Sequence, residues 1–296
     1  NNLSFRLKSN KNNYELKPSL YNKENNEYYF FLNEITLGKK ELKISLNNIY
    51  EKVNFTVLNN VRPIIYNYEI INTFNRKRNN YTQGFEFYND TLYESVGQYG
   101  KSKLIKVDFK NGKHLKELKL PAKYFAEGIT ILNNKIHLLT WKEKVGFVYD
   151  LENFNQIKTF KYNESKEGWG ICNDGNSLYK SDGTEKIWIL DKETYVEQNF
   201  IEIYTNKNKV VGLNELEWIE GKIYANRYLF NGLAIINPEN GAVEAVVNLS
   251  DLKNKVTQHE NLDVINGVAY NPKRKTIFVT GKMWDKIFEI KILEDE

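Results

Sequence analysis

Residues Tyr124 to Trp141 read YFAEGITILNNKIHLLTW: a glutamate and a glycine head one apolar run, an Asn-Asn pair reverses the chain, and a tryptophan closes the next run. Two apolar runs either side of a short Asn turn predict an antiparallel hairpin. In such a pair the start of the first strand and the end of the second lie at the same end, so Glu127 and Trp141 are expected to be neighbours. The same order of strand, tight turn, strand, loop, strand, Asp/Asn turn and strand recurs from Gly84 onward. The second strands with their exits read LYES, IHLLTW, SLYKSDG, IYANR and IFVTGK, and the third strands LIKVD, GFVYD, KIWILD, LAIIN and KIFEI. The turns that follow the third strands (FKNG, LENF, KETY, PENG) carry ordinary turn chemistry. A period of about 40 to 50 residues is that of a four-stranded propeller blade. The expected fold is all-β, a five-bladed β-propeller.

The last repeat runs out after its third strand, at KIFEIKIL. The run IIYNYEIINTF, Ile64 to Phe74, lies just before the first complete repeat and can supply the missing fourth strand. Closing the ring in this way removes the free sheet edges. Residues before about Asn60 stand outside the repeat. Their short alternating runs (YYFFLNEITL, LKISL, VNFTVLNN) resemble a small β-sandwich. Residues 1–60 are therefore expected to form a small N-terminal β domain or an extension packed on the propeller, and residues 61–296 the propeller, with Arg62-Pro63 between them.

Composition agrees with this reading. The 296 residues include 20 Tyr, 16 Phe and 5 Trp, the enrichment expected of strands. The 42 basic and 38 acidic residues are dispersed, and no zinc-finger or RRM-type pattern accompanies them, so a nucleic-acid partner is not expected. Cys172, the one cysteine, excludes an internal disulfide and reads as a buried, inert thiol. His114, His137 and His259 form no ligand pair, and His137 reads as structural. No apolar run approaches the length of a membrane span. Sequons such as Asn80-Tyr81-Thr82 are expected by chance in so Asn-rich a chain.

In a propeller the entrances of the first strands and the exits of the second share one face. The entrances read YTQGF, FAEGI, EGWGI, LNELE and INGVA; the exits read YESVG, LLTW, YKSDG, YANRY and VTGKMW. Gln83, Glu127, Glu167, Trp169, Asn214, Glu215 and Asn266 are thus brought to one rim with Trp141, Asp182, Asn226, Tyr228 and Lys282. Any one polar residue there would only cap a turn. Together they describe a pocket with aromatic walls and a few convergent polar groups, the usual form of a small-ligand site.

The phrases YTQGF, YESVGQYGKS, YFAEGIT, LTW, GFVYD, EGWG, SDGT, LNELEWI, YAN, INGVAY and TGKMW, in this order, resemble the plant and bacterial glutaminyl cyclases (glutaminyl-peptide cyclotransferases), which are five-bladed propellers. The resemblance spans Ile64 to Leu293 and touches every repeat. It implies an acyltransferase that converts the N-terminal glutamine of peptides or proteins to pyroglutamate and releases ammonia. It places the pocket on Tyr81, Gln83, Glu127, Trp141, Trp169, Asn214, Tyr228 and Lys282. Tyr81 and Tyr228 depart from the Phe and Trp of the plant enzymes but keep an aromatic ring. The roles expected are a proton shuttle for Glu127, hydrogen-bond donation to the γ-carbonyl for Lys282 and Asn214, substrate orientation for Gln83, and walls for the four aromatics. No cofactor is expected for catalysis; a structural metal ion can occupy the channel in this family, its ligands not legible here. The resemblance favours a monomer exported with a leader that is not part of these residues. Two other classes share the rim: a peptide-binding propeller without catalysis, and a metal-dependent hydrolase drawing oxygen ligands from Asn214, Asn226, Asn266 and a glutamate.

Overall fold

In a computed structural model the protein is described over residues 3–30, 35–47 and 49–293. Among these residues one 3-10 turn, Leu252–Lys255, is the only helical element; all else is strand and turn. Local sequence explains the hairpins. Asn133 and Asn134 have φ of 53° and 56°, the left-handed pair that a two-residue turn between right-twisted strands requires. Asn89-Asp90 and Glu220-Gly221 repeat that turn.

Three four-stranded antiparallel meanders follow one another. The first comprises Thr82–Tyr88, Thr91–Val96, Lys103–Asp108 and Lys113–Lys119; the second Ala126–Leu132, Lys135–Thr140, Val145–Asp150 and Gln156–Lys161; the third Ile171–Asn173, Ser177–Ser181, Lys186–Asp191 and Glu197–Glu202. An eight-stranded sheet holds two further runs, Leu213–Ile219 to Val243–Asn248 and Ile265–Asn271 to Lys286–Leu293, with Ile64–Asn75 between them. Ile64–Asn75 pairs antiparallel with Lys286–Leu293, the position expected of a closing strand. Its first residues also pair in parallel with Ala245–Val247, a join the repeat pattern does not announce. Arg76, just beyond, is buried and fastens this closure: it donates to Thr280, Thr82 and Glu94, the last a buried ion pair at 2.5 Å.

The first strands of the successive runs lie against one another, from Thr82–Tyr88 through Ala126–Leu132, Ile171–Asn173, Leu213–Ile219 and Ile265–Asn271 and back to Thr82–Tyr88. Apolar clusters fill the spaces between neighbouring runs: Tyr93 and Leu104 meet Ile129 and Phe147, and Leu139 and Val148 meet Ile171 and Trp188. Sheets covered on both faces need unbroken apolar strands. Gly232–Ile236, with four consecutive buried apolar residues, is such a strand, whereas the outermost strand Lys113–Lys119 alternates. Two glycines permit the close approach of the inner strands. A Cβ on Gly128 would stand 2.7 Å from the Trp169 carbonyl, and one on Gly170 1.9 Å from that of Asn214.

The N-terminal residues form a separate four-stranded sheet in the order Asn12–Leu16, Leu3–Ser9, Gly38–Leu46, Ile49–Val57. A hairpin, Leu20–Asn22 with Glu27–Tyr29, brings Tyr28 onto Phe5, 5.3 Å between ring centres. Four residues of the YYFFLNEITL run, 31–34, lie outside the described residues. This sheet meets the larger body through Leu37, packed on Tyr204 and Ala242, and through the Lys39 amide, which donates to Glu202 at 2.9 Å.

Candidate active site

Four of the inner strands carry a register shift at their entrance: between Thr82 and Gly84, Ala126 and Ile129, Leu213 and Leu216, and Ile265 and Val268. Such bulges turn a side chain away from the alternation of the strand. Gln83, Glu127, Asn214 and Asn266 sit at these four bulges. The first three line a cavity of about 220 Å³, with Tyr81, Trp141, Trp169, Tyr228 and Lys282. All eight residues drawn from the family resemblance therefore share one cavity. Phe125 is the ninth lining residue, and sequence reasoning missed it. The signal was present: Phe125 precedes Glu127 by two positions, as Tyr81 precedes Gln83.

Other rim residues have structural partners instead. Asp182 accepts from Thr184 and from the Trp188 indole, Asn226 accepts from the Gly267 amide, and Glu215 bridges the amides of Phe85 and Val268. Asn266 works one step back from the cavity, donating to the Gln83 side-chain oxygen at 3.2 Å.

The polar groups of the cavity are unusually placed for water. Glu127 is 4% exposed and accepts from Gln83 Nε2 at 2.9 Å. Burial pushes its carboxyl well above the ordinary carboxylate range; Lys282 opposes this and the charges of Glu167 and Glu143 add to it. Lys282 is 3% exposed, and among the described residues its ammonium has no ion pair or hydrogen bond. It lies over the Tyr81 and Tyr228 rings at 4.8 and 5.5 Å, cation–π contacts that leave its three donors available. Burial lowers its pKa, an effect that Glu127 and Asp263 partly offset. The Asn214 side-chain oxygen is buried without a partner. The Tyr81 hydroxyl is held by Asp263 at 2.9 Å, which occupies the group that distinguishes it from phenylalanine.

A buried carboxyl, an unpaired buried ammonium and an open carboxamide inside aromatic walls form a site for a small polar group with both donors and acceptors. A family model for glutamine cyclotransferases matches residues 42–292. The chain belongs to the glutamine cyclotransferase family. The match begins inside the N-terminal sheet, so this family's pattern is not confined to residues after 60. Within the cyclotransferase family, the glutaminyl-peptide cyclotransferase of Arabidopsis thaliana is 37% identical over 227 residues, 76% of this chain and 71% of the plant protein. The crystal structure of Myxococcus xanthus glutaminyl cyclase superposes with a TM-score of 0.73 at 26% identity, covering 79% of this chain and all of that one. No helix among the described residues is long and apolar enough to cross a membrane.

Proposed function

We propose that this chain converts the N-terminal glutamine of peptides and proteins to pyroglutamate and ammonia. One observation carries the reading: Glu127, Lys282 and Asn214 converge, without satisfying one another, in a cavity whose volume suits a single amino-acid residue. The folded side chain of glutamine brings its own α-amine to the carbonyl carbon of its γ-carboxamide, so the site has only to hold the compact conformer. The amine nitrogen forms a bond to the carbonyl carbon of the γ-carboxamide, the bond from that carbon to the carboxamide nitrogen breaks, and that nitrogen leaves as ammonia. Glu127 takes the proton from the attacking amine and passes it to the leaving nitrogen, a role for which a raised pKa suits a carboxyl group near neutral pH. Lys282 donates to the carboxamide oxygen as charge develops there. Asn214 pairs amide to amide with the substrate: its free oxygen accepts from nitrogen while its NH₂ donates to oxygen. Gln83 holds Glu127 in place, and the aromatic walls exclude the water that would hydrolyse the amide.

Among the described residues no three His, Cys, Asp or Glu side chains gather as a metal group, and the channel carboxylates Glu215 and Glu217 already accept backbone amides. No step above uses a metal, and activity that survives a chelator is the expected outcome. The fold supports a five-bladed propeller as part of the same proposal, the closed succession of inner strands being its main support. Residues 1–60 would then be a small β module and 61–296 the catalytic propeller. Monomeric state and export belong to the proposal too, and light scattering and cell fractionation test them. The central test is mass spectrometry of a peptide with N-terminal glutamine: loss of about 17 Da, one ammonia, with wild type but not with Glu127→Gln. No mass change with wild type across several such peptides would overturn the reading.

A further inference from the structure

The two tryptophans of the pocket come from different runs of the chain, Trp141 at the exit of Lys135–Thr140 and Trp169 ahead of Ile171–Asn173. Both indoles donate to the same atom. Trp141 Nε1 reaches Glu167 Oε2 at 2.7 Å, and Trp169 Nε1 reaches it at 2.8 Å. Glu167 does not itself line the cavity. We propose that Glu167 is a positioning residue, a carboxylate that ties the two indole walls together and so sets the width of the substrate pocket. The proposal deepens the cyclase reading and rests on it.

The link completes a collar. Tyr81 meets Phe125 edge to face at 6.3 Å, and Phe125 meets Trp141 at 5.4 Å. On the far side Trp169 meets Tyr228 at 6.0 Å, and the Lys282 ammonium lies between the Tyr228 and Tyr81 rings. Glu167 is what bonds the two aromatic halves across the gap between the indoles. An indole N–H is a donor only, and a carboxylate oxygen makes the stronger charge-assisted bond to each.

Glu167 is itself anchored from behind. Its carbonyl accepts from Lys180 at 3.2 Å, and Lys180 is fully buried in an ion pair with Glu197 at 2.9 Å. Glu197 also accepts the amides of Glu164 and Ser165 just upstream. The Gly168 amide donates to the Trp141 carbonyl at 3.1 Å. The backbone that bears Glu167 is thus fixed to both walls, and its side chain is free to hold the rings. A compact glutamine conformer needs walls at a fixed separation, since small misplacements of the reacting atoms cost large factors in rate.

The test compares Glu167→Ala and Glu167→Gln on an N-terminal glutamine peptide. The glutamine variant would keep an oxygen able to accept from both indoles; the alanine variant would keep none. Glu167→Ala is expected to raise KM and to lower kcat/KM by about tenfold or more, with Glu167→Gln recovering most of the loss. Wild-type kinetics for Glu167→Ala, or equal impairment of both variants, would overturn the proposal. Ultraviolet resonance Raman of the indole N–H band reads the bridge without turnover: two of the 5 tryptophans should report weaker hydrogen bonds in Glu167→Gln. That band decides the matter if Glu167→Ala does not fold, and unchanged indole bands would sink the bridge. A wild type that formed no pyroglutamate but showed the Raman shift would instead sink the cyclase reading and leave the bridge standing.

Discussion

Gln83 and Glu127, on adjacent inner strands, are joined by a hydrogen bond of 2.9 Å from the amide Nε2 to the carboxyl Oε1, and Asn266 holds the other end of Gln83. The arrangement fixes one oxygen of Glu127 and leaves the other for substrate. Glu127→Gln keeps an oxygen for Gln83, so the fold should survive while kcat falls by about 10²- to 10⁴-fold, the usual worth of a general acid–base. Gln83→Leu should lower kcat by less, and on top of Glu127→Gln it should add almost nothing, because groups acting as a unit are not additive. Ammonia release measured for the two single variants and the double variant checks this. Additive losses would mean that Gln83 acts on substrate independently of Glu127.

Lys282 should govern the alkaline side of the pH profile. Burial is the main cause of its lowered pKa, so its ammonium is lost at a lower pH than that of an ordinary lysine. Turnover that needs the charged donor should therefore fall as pH rises toward the folded pKa. Lys282→Met should reduce kcat by about 10²- to 10³-fold, the range for loss of one donor to a developing oxyanion. An increase in KM alone would confine Lys282 to substrate binding.

Much of this was legible because it rests on short-range chemistry. Asn133-Asn134 turns wherever it is placed, and five repeats of the same turn grammar order the strands. The resemblance drew eight pocket residues from motifs such as FAEGI and GWGI, and the structure gathers all eight. Register was not legible. A bulge at Glu127 is a property of two paired strands, and sequence alternation alone assigns its side chain no special direction. Asp182 and Asn226 looked like pocket residues because a strand end carries the same residue types for capping as for catalysis. The join of Ile64–Asn75 to Ala245–Val247 depends on where two distant strands end in space, which no local pattern encodes. Glu167 was visible only as one rim carboxylate among several, since its meaning lies in the convergence of two indoles from different repeats.

Gly170 offers a test of the inner ring. A Cβ there would stand 1.9 Å from the Asn214 carbonyl oxygen, a backbone atom that cannot rotate away. Gly170→Ala should force the two inner strands apart, destabilise the fold by about 3 kcal/mol and displace Asn214 from the pocket. Stability to urea and kcat/KM should fall together. Gly175, where nothing lies within 4 Å of an added Cβ but φ is +90°, is the control, with a smaller loss of stability and unchanged turnover.

The buried carboxylates predict how stability changes with pH. Glu217 is buried, and its carboxyl lies well above its ordinary value of 4.5, first through burial and then through the nearby charge of Glu86. Between pH 4.5 and the raised folded value, the native chain holds a proton that the unfolded chain has released. Stability tied to this group is therefore complete below pH 4.5 and is lost as pH rises. Glu127 and Glu215 shift in the same direction. Glu197 and Glu289 shift downward, so their contributions fail only in stronger acid. The maximum should lie in mild acid. Glu217→Gln keeps an oxygen for the Tyr270 amide, 2.8 Å away in the parent, and cannot ionise. It should lose less stability than wild type between pH 5 and pH 8, because it has no proton to release. Urea unfolding at the two pH values measures the difference; equal pH slopes for the two proteins would mean that Glu217 is already charged in the folded state.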